Sequence, residues 1–391
     1  MSEGLRPPAP APILPVATST WEPGASVETG TTGATEPAET GAQEAQRAQS
    51  GAERLRGMRG RLIVGFAFAV LVLVGLSLFA DGRKLVGTLR TFQWWLLLPI
   101  LLGTTLNYAV RAGKWHYYLG AVGVHNLPLP LSVRIFVAGF SMSLTPGKVG
   151  EVLKSVLVRN AVGTPFTTTA PIVLAERLTD GVAVLILAGV GLAIFQYGVP
   201  LLLGIAVLMV AGYLLLLQPR LMRRLIGMGE RLPFVRRIVP HAHAFYDTTH
   251  RLMAPRIFLT ASAVSVFSWV FECVAFSLVL LGLGFAPSGR LFFTATFVIA
   301  AATLIGSVSL LPGGLGAAEI SVTAMLLALV RDPLMTQDVA IAATLLIRFV
   351  TLWYGVLLGV FSLFTLRRLL DGPRPVPAVA AGTLVPAGRG E

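Results

Sequence analysis

Apolar residues in this chain come in long unbroken runs rather than alternating with polar ones. A spanning helix needs about 20 predominantly apolar residues. The runs 62 to 80, 94 to 112, 170 to 196, 199 to 217, 257 to 283 and 338 to 366 meet that requirement, which predicts six crossings. Two more apolar stretches, 131 to 158 and 291 to 330, are broken near the middle, at Pro146-Gly147-Lys148-Val149-Gly150-Glu151 and at Pro312-Gly313-Gly314-Leu315-Gly316. Each reads as two half-helices around a break. The pattern predicts an all-α polytopic membrane protein: six spanning helices plus two re-entrant broken-helix hairpins.

Arginine placement orients this scheme. Cytoplasmic loops of membrane proteins are enriched in Lys and Arg. The loop 218 to 256 carries Arg220, Arg223, Arg224, Arg231, Arg236, Arg237, Arg251 and Arg256, and Arg54, Arg56, Arg59 and Arg61 precede the first run. Both clusters fall inside, with Arg367 and Arg368, if each broken stretch turns back on itself, the first from the cytoplasm and the second from outside. Both termini are then cytoplasmic, and the expected location is the inner (cytoplasmic) membrane.

The same scheme exposes a repeat. At an offset of 166, Ser141, Ser143, Leu144, Pro146, Gly147 and Gly150 match Ser307, Ser309, Leu310, Pro312, Gly313 and Gly316, the pattern S-x-S-L-x-P-G-x-x-G. The first unit, about 60 to 196, starts inside, and the second, about 199 to 366, starts outside. Inverted repeats of this kind build midplane sites in many transporters. The flanks 1 to 50 and 369 to 391 are Pro- and Ala-rich and read as disordered tails around a membrane domain, 51 to 368.

Composition narrows the function classes. Hydrophobic residues make up 54% of 391 and charged ones 13%, which excludes an ordinary soluble enzyme. The single cysteine, Cys273, excludes a disulfide framework and any multi-thiolate metal centre. A net charge of +12 fits arginines lying beside anionic lipid, so no nucleic-acid partner is expected. His243, Asp247 and His250 have i, i+4, i+7 spacing, but the arginines around them repel a cation, and no metal or cofactor is expected. H-E-x-x-H, G-x-S-x-G and a Walker lysine are all absent.

Charge within the bilayer costs at least ~2.5 to 3.5 kcal/mol per residue on insertion scales, so intramembrane charges are candidate site residues. They are Arg111; Lys148, Glu151 and Lys154 at the first break, beside Gly150; Glu176, Arg177 and Asp180 in the next helix; Glu272, the one charge in 257 to 283; and Glu319 and Arg348 beyond the second break, with Pro312, Gly313 and Gly316 shaping it. A helix beginning near Gly150 would aim free N–H groups and its positive dipole end into the membrane, where a phosphate or carboxylate could bind with a lysine. Snorkelling lysines paired with Glu151 explain the same residues. Glu176 and Asp180 read equally as a proton-handling carboxylate pair and as a structural tie. Glu272 reads as a titrating group or as a protonated acid bonded to a neighbouring helix. Gly355 and Gly359, as G-x-x-x-G, read as helix packing.

Pro146-Gly-Lys-Val-Gly150-Glu151 with Lys154, Glu176-Arg177 with Asp180, Leu311-Pro-Gly-Gly-Leu-Gly316 with Glu319, and Arg348 together resemble the family of the transmembrane domain of lysylphosphatidylglycerol synthase, also called flippase-like or UPF0104. Arg111 with Lys114-Trp115 fits its basic-aromatic pattern, and the resemblance covers about 60 to 368. It implies movement of a lipid with an anionic or phosphate-bearing head group between leaflets. The separate soluble domain that makes the aminoacylated lipid in the synthases is not expected here, so neither is synthase activity. Stand-alone members are associated with hopanoid or polyprenyl-linked lipids. Lys148 and Lys154 stand where the family commonly has arginine, which keeps charge and loses bidentate phosphate geometry. The alternatives are a membrane enzyme or accessory subunit acting on lipid-linked substrates, and a small-solute transporter.

Overall fold

The computed structural model describes residues 82–145, 151–195, 199–228 and 239–369. The predicted helix 62 to 80, the first break with Lys148 and Gly150, the 1 to 50 tail and residues 370 to 391 of the C-terminal tail lie outside the described residues.

The described residues are helical, with no strand among them. In order they form α1 (Gly82–Thr91), α2 (Leu97–Ala121, led by a 3-10 turn at Trp94–Leu96), α3 (Leu129–Gly139, continued by a 3-10 turn at Phe140–Met142), α4 (Leu153–Val162), α5 (Phe166–Phe195), α6 (Val199–Leu216), α7 (Pro219–Met228), α8 (Val239–Leu252), α9 (Pro255–Gly282), α10 (Gly289–Val308), α11 (Ala317–Leu329), α12 (Gln337–Arg348) and α13 (Tyr354–Thr365). A π turn, Phe349–Trp353, joins the last two.

Local chemistry sets several ends. Pro255 opens α9, where its missing N–H costs no helix bond. Ser288 caps α10 by accepting from the Leu291 N–H at 3.1 Å. Gly163, at φ 75°, closes α4.

Among the described residues five helical stretches are long and apolar enough to cross a membrane: Trp94–Ala121, Pro255–Gly282, Gly289–Val308, Pro312–Leu329 and Gln337–Thr365. Three of them sit on predicted crossings. Gly289–Val308 and Pro312–Leu329 are the two arms of the second broken stretch, and each is longer than a half-helix. The first broken stretch differs: Leu129–Met142 is a shorter apolar helix, and α4 on the far side has 10 residues. At 1.5 Å per residue the second stretch, about 40 residues, holds enough chain for two long arms, and the first, about 28, does not.

Two apolar clusters build the interior. One contains Ile100, Ala183, Leu187, Trp269, Cys273 and Phe276; the other contains Tyr108, Trp115, Ile135, Phe136, Leu157, Ile172 and Leu252. Along α2, α5 and α9 the chain passes from one cluster to the other between Ile100 and Tyr108, Ala175 and Ala183, and Ala261 and Trp269. Arg111, Glu176, Arg177, Asp180 and Glu272 fall within or one turn from those crossover points, forming a polar belt between the two clusters, with Lys114 reaching it from one turn deeper in the second.

Candidate functional site

Helical spacing builds the belt. Asn107, Arg111 and Lys114 lie three and four apart on α2 and share a face. Ser265, Ser268 and Glu272 do the same on α9, and Glu176 and Asp180 on α5. These faces meet. Asp180 accepts from Lys114 Nζ at 2.5 Å and from Arg111 Nη2 at 2.9 Å. Lys114 also donates to Ser265 Oγ at 2.6 Å, and Ser265 donates to Asp180 Oδ1 at 3.0 Å. Asn107 Nδ2 donates to the Ser268 carbonyl at 2.7 Å. Every charge of Lys114 and Asp180 is thereby matched in a place water does not reach, the condition under which buried ions are tolerated.

The arm after the first break is tied to α5 twice. Lys154 pairs with Glu176, and Arg177 pairs with Glu151. Lys154 Nζ also lies 4.5 Å from the Trp115 ring centre and 4.9 Å from that of Phe136. A carboxylate and two ring faces enclose its ammonium, and the residue is 2% exposed. Lys154 therefore does not snorkel, and its charge is met by Glu176.

The second break is held differently. Gly313, Gly314 and Gly316 take positive φ. Glu319 Oε2 reaches back to accept from the Gly316 N–H at 2.6 Å, and its other oxygen accepts from Arg348 Nε at 2.5 Å. Arg348 Nη2 donates to the Gly313 carbonyl at 2.9 Å, so one arginine clamps both the break and the arm after it.

The residues just before the first break touch the second. A methyl on Gly313 would sit 3.3 Å from Leu144 Cδ2 and 3.6 Å from the Ser143 carbonyl. Leu144, Leu315 and Val356 form a small apolar cluster at this junction. Beside it opens a cavity of about 110 Å³, lined by Arg111, Glu151, Arg177, Glu272 and Arg348 together with Tyr108, Ser143, Trp269, Gly313 and Thr351. Three arginines face two glutamates, and they come from both halves of the chain. The Nε groups of Arg111 and Arg177 and the indole N–H of Trp269 are buried without a hydrogen-bond partner among the described residues. Such orphaned donors cost about 1–3 kcal/mol each, a cost that ligand oxygens would offset. A second cavity, of about 240 Å³, shares Arg177, Trp269 and Thr303 with the first as lining residues and is otherwise lined by Val184, Leu304, Gly306, Leu310 and Leu311 among others. A polar cavity and a more apolar one thus share part of a wall.

The profile of the lysylphosphatidylglycerol synthase transmembrane region matches residues 62–359, about three-quarters of the sequence. The chain belongs to this family. It is similar to the UPF0104 membrane protein of Methanothermobacter thermautotrophicus, 24% identical over 324 residues that cover 76% of this chain and 91% of that relative. It is also similar to a UPF0104 membrane protein of Pyrococcus horikoshii, 21% identical over 336 residues that cover 77% of this chain and 98% of the relative. Membership and the long apolar helices make it a multi-pass membrane protein.

Within this member of the synthase transmembrane-region family, the predicted site residues divide. Arg111, Glu151, Arg177, Glu272, Gly313 and Arg348 converge on the polar cavity, and Asp180 borders the apolar one. Lys154 and Glu176 stand behind the wall as a sealed pair. Pro312, Gly316 and Glu319 shape the second break without lining the polar chamber. Gly355 and Gly359 pack as expected: a methyl on Gly355 would lie 2.7 Å from the Tyr108 hydroxyl, and Gly359 lies against the backbone of Phe140 and Ser141. Among the described residues no group of three or more His, Cys, Asp or Glu could hold a metal.

Several lining residues had no part in the sequence argument. Trp269 lies one turn from Glu272, Tyr108 one turn from Arg111 and Thr351 one turn from Arg348, so helical spacing from each charge would have found them. The π turn has no such signal. Tyr108 donates its hydroxyl to the Thr351 carbonyl within it. π turns inside long helices occur often at functional sites.

Proposed function

We propose that the chain translocates a lipid with an anionic, phosphate-class head group between leaflets of the cytoplasmic membrane, without chemically altering it. The observation that carries this reading is a cavity ringed by arginines from both halves, sharing Arg177, Trp269 and Thr303 with a more apolar neighbour. The head group binds Arg111, Arg177 and Arg348, and its chains lie toward Leu304, Leu310 and Leu311. Glu151 and Glu272 compete for the arginines and let the head group go.

In this reading the halves are inverted repeats of six crossings and two broken hairpins, with both termini cytoplasmic. Contact of Ser143 and Leu144, just before the first break, with Gly313 in the second supports it, since hairpins entering from opposite faces meet at mid-membrane. Two full crossings in place of the second hairpin would leave the arginine loops on the same side, and that contact is what favours the hairpin. The second-half clamp, Arg348 on Gly313 and Glu319, is the gate.

The test uses purified full-length protein in liposomes with fluorescent anionic and neutral phospholipids. Head-group-selective movement is expected, falling at least about tenfold in Arg177→Gln and Arg348→Gln while both variants stay folded. Wild-type rates in both variants, or a chemically changed lipid at the end of the assay, would sink the proposal.

A further inference from the structure

Outside the cavities, the most distinctive surface lies where α6 gives way to α7. The helix axis bends by 74° between Leu203–Leu216 and Pro219–Met228. α6 has 18 almost wholly apolar residues, about 27 Å of helix, close to the hydrocarbon thickness. α7 has three arginines in ten residues and cannot follow it through the hydrocarbon. A sharp bend at the end of a spanning helix lays the next one along the membrane surface.

The sequence of α7 suits that position. At 100° per residue, Arg220, Arg223 and Arg224 fall within one arc of about 100°, and Leu221, Met222, Ile226 and Met228 occupy the other side. Leu221 is 45% exposed and Met228 60%, so the apolar side is not consumed by packing against the bundle. Arg223 reaches Asp247 of α8 at 3.4 Å, a solvent-exposed pair, while Arg220 and Arg224 make no ion pair among the described residues. The helix is not loosely hung. α8 packs on α5, the Tyr246 hydroxyl donates to the Leu216 carbonyl at 3.0 Å, and the Tyr213 hydroxyl donates to the Met253 carbonyl at 3.2 Å. Exposed Arg251 and Arg256 extend the positive surface across the end of α8 and the start of α9.

We infer that α7 is a docking surface for the anionic phospholipid head groups of its own leaflet. Its arginines contact phosphates, and Leu221 and Met228 sink between the acyl chains. A basic amphipathic helix binds a membrane by the sum of buried apolar area and attraction to anionic lipid. This site is separate from the cavities and does not depend on lipid translocation.

The test reconstitutes the full chain in equal parts phosphatidylcholine and phosphatidylglycerol, re-extracts it in neutral detergent and counts retained lipids by native mass spectrometry. Wild type should retain phosphatidylglycerol over phosphatidylcholine by about fivefold, and 0.5 M salt during extraction should remove most of that preference. The combined change Arg220→Gln, Arg223→Gln, Arg224→Gln should bring the ratio near one, while the three-lysine version keeps most of it. An unchanged ratio in the glutamine variant, or a preference that survives salt, assigns the lipid to the interior cavities and overturns the proposal. Equal loss in the lysine and glutamine variants overturns it as well, because charge would then not be what the surface supplies.

Discussion

The two breaks share six identical residues and little else. Leu144 in the first is 3% exposed and packs against Gly313, while its counterpart Leu310 in the second is 69% exposed and sits at φ 55°. The arm after the first break is bound to α5 by two ion pairs, one of them enclosed between aromatic rings. The arm after the second has one ion pair, to Arg348, with a backbone cap, a Thr323–Thr344 hydrogen bond and Val322, Leu326 and Leu329 buried in the apolar interior. The six shared identities therefore do not give Leu144 and Leu310 the same surroundings, and the charges that tie each copy differ. By its two ion pairs onto α5 the first half is the more heavily cross-linked frame.

The sharpest way to break that comparison is to remove the frame's central acid. Asp180→Ala leaves Lys114 and Arg111 facing each other without their carboxylate, and should cost roughly 3–5 kcal/mol, read as a large fall in the thermal unfolding midpoint in detergent. Next comes Leu144→Ala, which empties a buried position and should cost about 2–4 kcal/mol by the same measurement, whereas Leu310→Ala at the matching position should cost less than about 0.5 kcal/mol. Equal costs at the two leucines would remove the asymmetry. In the second half, Glu319→Gln keeps an acceptor for the Gly316 N–H and loses the ion pair, so about 1–2 kcal/mol of stability should go while lipid movement changes more than the midpoint does. Leu310→Gly differs in sign, since it relieves a left-handed leucine and should shift stability by under about 1 kcal/mol, toward a higher midpoint.

Much of the fold was legible because a bilayer demands long apolar runs, and 94 to 112, 257 to 283 and 338 to 366 each lie in a helix of spanning length. The arginine argument had a narrower reach. It fixes only whether a stretch returns to its own side, and a hairpin and a pair of crossings both return. Arm length at the second break was therefore open, and Gly289–Val308 proves long enough for a crossing. Glu151 with Arg177 and Glu319 with Arg348 are both paired in the fold, whereas the sequence offered Glu151 the neighbouring lysines as partners. The fate of Lys154 was not legible, since Trp115 and Phe136, which enclose it, come from two other helices. Nor was the gathering of Arg111 and Arg348 at one cavity, which depends on how the halves pack.

The enclosure of Lys154 also divides the protein's electrostatics into a wet set and a dry one. Mobile ions screen charges they can approach, over about 8–10 Å at physiological strength, and act weakly on pairs shut away from solvent. The outer contact between Arg223 and Asp247, with side chains 63% and 59% exposed, lies in the screened set; Lys154 with Glu176, at 3% and 1%, lies in the other. Raising ionic strength should therefore unfasten the rim of the molecule and leave its interior unchanged, making the salt content of the medium a dial for the surface alone.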